Sequence, residues 1–187
     1  MLDRLLPGDI FRAHWKALSD YTSRKPVPDK ATRAVVVALP VGAFVASLVF
    51  DFTLQIPEGV LAALALLAGG FLTAFTHLSP VRVHLAERED TWGDAERFDR
   101  DAIDETSAHL LAGAYVAGIA TVALVLGMNF GAGEEENTIV GFWAALSAGL
   151  MTYVVLIFLI TLPRLYQAYA KYAKVRAALD GTHRSKL

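Results

Sequence analysis

The chain has 187 residues, 55% of them hydrophobic, with a mean hydropathy of +0.42 and a formal net charge of −2. It contains no cysteine, which excludes disulfides, thiolate metal sites and a cysteine nucleophile. Its apolar residues are gathered into long uncharged runs rather than spread at a helical or strand period, which sets it apart from a soluble domain.

Residues 1–30 read as an amphipathic helix and a linker. Pro7-Gly8 interrupts any earlier helix, and Asp9 is placed to cap a new one. Ile10, Phe11, His14, Trp15, Leu18 and Tyr21 then share one face, with Arg12, Lys16, Ser19 and Asp20 on the other. A basic helix with Phe11, Trp15 and Leu18 on its apolar face suits a membrane surface; packing on the protein's own helices suits the same pattern. Pro26 and Pro28 make a stiff linker. The first apolar run starts only at Ala34, after charged residues, which speaks against a cleavable signal peptide.

Residues 31–78 are predicted to form a transmembrane hairpin. Its uncharged stretches are Ala34–Phe50 and Gly59–Val81, of 17 and 23 residues. About 20 apolar residues cross a bilayer core, so the first needs its flanks. Pro40 predicts a kink, and Pro57 suits a helix start. Residues 79–106 form a charged join, with nine acidic and four basic side chains. Ser79-Pro80 reads as the start of a new short helix, and Trp92-Gly93-Asp94 as a turn and cap. From Asp94 a helix can run without interruption into the next span. Residues 107–163 form the second hairpin, within the uncharged stretches Thr106–Gly133 and Asn137–Pro163. Residues 164–187 carry a Tyr- and Lys-rich helix with Gly181 as its stop. The fold class expected is an all-α integral membrane protein of four spans in two hairpins. Amphipathic helices at both termini and in the central loop complete it.

All seventeen Lys and Arg lie before the first span, in the join or after the last span; the two short loops have none. The positive-inside rule then places both termini and the join in the cytoplasm of a cell whose inner membrane holds the protein. Opposite net charges in one layer predict an ordered join that touches the terminal helices. Trp92, Phe98, Tyr169 and Tyr172 would form the apolar part of that contact or of a docking surface for a cytosolic protein.

No stretch between its flanks holds an Asp, Glu, Lys or Arg, which argues against an ion-coupled transporter. What remains is hydroxyls and histidines. Thr73, Thr76 and His77 close the second span, and Ser107 and His109 open the third at the same depth; they suit an inner pore mouth or interhelical hydrogen bonds. His84 with Glu87, and Glu105 with His109, have helix-face spacings that a metal could use, but solvated charges have them too. There is no Walker, GxSxG or HExxH motif. No enzyme activity, cofactor, metal or nucleic-acid partner is expected. The acidic join disfavours nucleic acid.

Small residues line every span: Ala38/Gly42/Ala46, Ala65/Gly69 with Gly70/Ala74, Gly113/Ala117 with Ala114/Gly118, and Gly141/Ala145/Gly149. Smooth faces allow helices to pack closely in lipid, within a chain or between copies. In layout the chain is similar to small four-helix membrane proteins of bacterial defence systems, such as the Kiwa membrane component. The likeness is of plan, with no shared motif, and carries over no residue. Two functions fit: a homo-oligomer whose cytoplasmic helices sense or effect, through a pore or membrane perturbation, or a non-conducting scaffold that recruits a cytosolic partner.

Overall fold

The computed structural model describes residues 7–20, 27–86, 94–133 and 137–172; the side chains at 84–86, at 94–101 and at several positions after 166 lie outside that description. Trp92 and Glu87 fall outside it, as do the side chains of His84, Phe98 and Tyr172. The helices are α1 (Gly8–Ala17), α2 (Lys30–Val49), α3 (Pro57–Ala86), α4 (Asp94–Phe130) and α5 (Gly141–Tyr172). Four of them, α2 to α5, are long and apolar enough to cross a membrane. A two-residue antiparallel ladder, β1 (Ser19–Asp20) with β2 (Val27–Pro28), joins α1 to α2.

Two helix starts differ from the sequence reading. α1 begins at Gly8, so Asp9 lies in its first turn and does not cap it. The side-chain cap is instead Asp29 on α2: its Oδ1 accepts from the Ala31 and Thr32 amides at 3.0 and 3.1 Å, and the Thr32 hydroxyl bonds its other oxygen. The Thr32 hydroxyl, and next its amide, hold this carboxyl below its ordinary value. Pro80 does not open a new helix; α3 runs through it to Ala86. The proline's φ suits a helix, but it leaves the Thr76 carbonyl without its donor and crowds that carbonyl with its ring. Pro163 is likewise interior to α5, and the spans on either side of the join extend as single helices.

α4 is the axis of the molecule. Ile103, Thr106, Leu110, Gly113, Ala117, Ala120, Leu124, Gly127 and Gly131 follow one another at alternating steps of three and four, and all are buried. On α3, Pro57, Leu64, Phe71 and Leu78 repeat every seven residues and are buried too. A seven-residue period keeps one stripe facing one partner, and these stripes join Val154 and Ile157 of α5 in a single core. Small residues set the spacing. A Cβ at Gly113 would sit 2.9 Å from the Phe71 ring and 3.0 Å from Ile157, and one at Gly149 would sit 3.1 Å from the Pro40 carbonyl.

The extensive helix pairs are α3 with α4, α4 with α5, α2 with α5, and α1 with α4. α2 and α3, although consecutive, are therefore not a packed hairpin: each rests on a different member of the α4–α5 pair. Within the spans 50% of α4 and 33% of α5 is buried, against 11% for each of α2 and α3. At the far end the two interhelical loops are stapled. The Leu54 and Ile139 backbones exchange hydrogen bonds of 2.9 and 3.0 Å, and the Ile139 side chain is buried against Gly127.

Candidate functional site at the junction of α1, α4 and α5

α1 lies along α4. Phe11 meets Tyr115 edge-on, ring centres 5.7 Å apart, while the other end of α1 reaches Arg164 of α5, whose Nη1 is 3.4 Å from the Ala17 carbonyl. Of the two packings that the amphipathic pattern allows, α1 has the intramolecular one. Leu18 is fully buried, so it is not a lipid-facing residue; Phe11 is half-buried and Trp15 exposed. The reason is the polar group in the middle of the apolar face. His14 needs partners that hydrocarbon cannot supply, and α4 and α5 supply them.

His14 is 2% exposed and His109 is 0%. Their Nδ1 atoms are 2.7 Å apart with rings nearly perpendicular, and the Tyr153 hydroxyl lies 3.1 Å from His14 Nε2. At that separation one imidazole donates and the other accepts. If His109 donates to His14, then His14 donates to Tyr153; in the opposite sense Tyr153 donates to His14. In either case His109 Nε2 has no hydrogen-bond partner. Burial, and after it the positive charge of Arg164, push His14 down to about 4, so the helix docks with a neutral imidazole.

Charges ring this cluster. Glu105, one turn before His109 on α4, is ion-paired to Arg164 of α5, with side chains 12% and 28% exposed. Arg33 of α2 closes the C-terminal end of α1: Nη2 donates to the Trp15 carbonyl at 2.8 Å, Nε donates to the Leu18 carbonyl at 3.0 Å, and the guanidinium lies 5.2 Å over the Trp15 ring. A cation at the last carbonyls of a helix is favourable for both hydrogen bonding and the helix dipole. Further along, Arg82 of α3 pairs with Asp104 of α4 at 2.7 Å.

The residues singled out at the inner mouth do not converge. Thr73, Thr76 and His77 lie on an exposed face of α3, Ser107 is half-buried, and His109 is turned to α1. The Thr76 hydroxyl donates to the Thr73 carbonyl, and those of Thr106, Thr152 and Thr161 also bond back to their own helices. His77 borders an apolar cleft of about 520 Å³ between α3, α4 and α5, where Tyr166 and exposed Tyr169 form the opposite wall. Glu105 and His109 each have a partner other than a metal, and no group of three or more His, Asp or Glu able to share one occurs among the described residues.

Sequence reasoning placed His14 on the apolar face of α1 without giving it a partner. The signal that could have found one is the pairing of needs. His14 and His109 are each a lone imidazole in an apolar stripe, and such groups are satisfied by one another.

Four apolar spanning helices with a polar knot at one end define a helical, multi-pass membrane protein. Compared with protein-family models, with curated proteins and with solved structures, the chain matches none.

Proposed function

We propose that the protein is a multi-pass inner-membrane protein that assembles with copies of itself and uses its inner-face helices as a sensor or effector layer. The observation that carries this is the state of the two flanking helices. Gly42 on α2 and Gly69 and Gly70 on α3 have open space where a side chain would be. A glycine inside a helix costs up to about 1 kcal/mol relative to alanine. Gly113 and Gly149 offset that cost by letting helices of the same chain approach closely. The three outer glycines do so only when a second chain lies against them. Both termini lie in the cytoplasm by the distribution of basic residues, and the output of the assembly is permeation or membrane perturbation. The likeness of layout makes bacterial defence the first setting to test.

Light scattering on detergent-solubilised protein over a range of concentrations tests the assembly. A mass of several chains is expected, reduced by Gly69→Leu with Gly70→Leu; a strict monomer throughout refutes it. A second reading is a silent scaffold for a cytosolic protein, favoured by the exposed Tyr169 and the apolar cleft beside it. Ion flux from liposomes separates the two, since a scaffold conducts under no condition.

A further inference from the structure

We propose that the His14–His109–Tyr153 cluster is a proton-operated latch, which holds α1 against α4 and α5 when neutral and lets it go when protonated. The proposal is independent of self-assembly and concerns one chain.

The latch has no neutral way to accept a proton. A proton on His109 Nε2, the one ring nitrogen of the pair without a hydrogen-bond partner, leaves a buried cation with no acceptor beside it. A second proton puts two N–H donors face to face across 2.7 Å, and no bond survives between them. The surroundings do not relieve this. From α5 the cluster faces Arg164, a like charge, and Tyr153, which is neutral. From α4 it faces Glu105, whose carboxylate is already engaged by Arg164. From α2 comes Arg33, a second cation, bound to the α1 carbonyls. Among the described residues the carboxylate beside the cluster is shared with Arg164, and the route that relieves the charge is for α1 to leave and His14 to meet water.

Linkage sets the sign. His14 is depressed to about 4 in the docked state and returns towards its ordinary value of 6.5 once released. Docking is therefore fully supported above about pH 6.5 and weakens as pH falls towards 4. Each unit in that window shifts the docked-to-released ratio by up to about tenfold per proton taken up. Other anchors of α1 are the Phe11–Tyr115 edge contact, the buried Ala17 and Leu18, and the arginines at its last carbonyls. The arginines would act as a hinge, keeping the C-terminal end of α1 in place while its other end swings out.

The absence of cysteine makes the test clean. Spin labels on Asp9→Cys, at the end of α1 that swings out, and Val122→Cys of α4 report the latch, and labels on Leu66→Cys and Val122→Cys report the core, all in nanodiscs. The expected result is a single narrow α1 distance at pH 8, a second, longer component growing between pH 6.5 and 5, and an unchanged core distance. His14→Phe should remove the pH dependence, whichever position α1 then takes; should that variant fail to fold, His14→Gln replaces it with the same expectation. Tyr153→Phe should keep the transition with its midpoint moved. An α1 distance constant down to pH 5 overturns the latch. So does an unaltered transition in either histidine variant, or a core distance that broadens in step with the α1 distance.

Discussion

Removing Arg164 tests which of the two ion pairs organises the end of the helices where α1 docks. In Arg164→Met the Glu105 carboxylate, 12% exposed, loses its countercharge while staying largely enclosed. Breaking one side of a fully buried pair costs about 3–5 kcal/mol. Arg164 is itself 28% exposed, so water reaches part of the site and the lower end, ~2–3 kcal/mol, is expected. Arg82→Ala removes a pair with better geometry, two contacts at 2.7 and 3.1 Å, but its members are 35% and 53% exposed. Its cost should be only ~0–1 kcal/mol. The double variant Glu105→Gln with Arg164→Met should recover much of the single loss, with a coupling of about 1–3 kcal/mol. Reversible unfolding in mixed micelles, read by tryptophan fluorescence, gives all the free energies. If Arg82→Ala proved as costly as Arg164→Met, or if the two changes in the double variant were simply additive, burial would not be what ranks these pairs.

Two further outcomes are expected. Gly113→Leu, and separately Gly149→Leu, should destabilise the chain by ~1–3 kcal/mol through overpacking against Phe71 or the Pro40–Phe44 segment, whereas Gly69→Leu should not destabilise it in micelles and should add up to about 1 kcal/mol. Asp29→Ala should cost ~1 kcal/mol and Asp29→Asn much less, because the side-chain oxygen that receives the Ala31 and Thr32 amides survives in asparagine; helix-selective hydrogen exchange at the start of α2 reads the difference.

The spans were legible because hydrocarbon imposes one requirement on every residue in them, so uninterrupted apolar length is enough. Their partners were not. Gly113/Ala117 and Gly69-Gly70 look alike as small-residue pairs, yet the first is buried under Phe71 and the second faces nothing in this chain. The missing information was the larger period: Pro57, Leu64, Phe71 and Leu78 at sevens on α3, and the unbroken three-four stripe of α4, which name the helices that face each other. Ser79-Pro80 misled because proline at a helix start and proline tolerated within a helix share the same φ, and only the neighbouring contacts tell them apart. The histidine pair joins residues 95 positions apart, so no local pattern encodes it.

The order of partners also governs how the protein can be made. α1 rests on α4, α2 on α5 and α3 on α4, so each extensive contact of the first 86 residues is with something translated later. A ribosome delivers the N-terminal segments first. α2 and α3 therefore enter the bilayer as two separate rods; α3 finds its partner when α4 emerges, and α2 waits for the last helix. Only then can Ile139 close the far end beside Leu54. A chain halted before Gly141 would hold three transmembrane helices, with α3 and α4 able to pack and α2 without its partner. Quality control in the membrane would meet it as an orphan, and the completion of α5 is the event that ends that exposure.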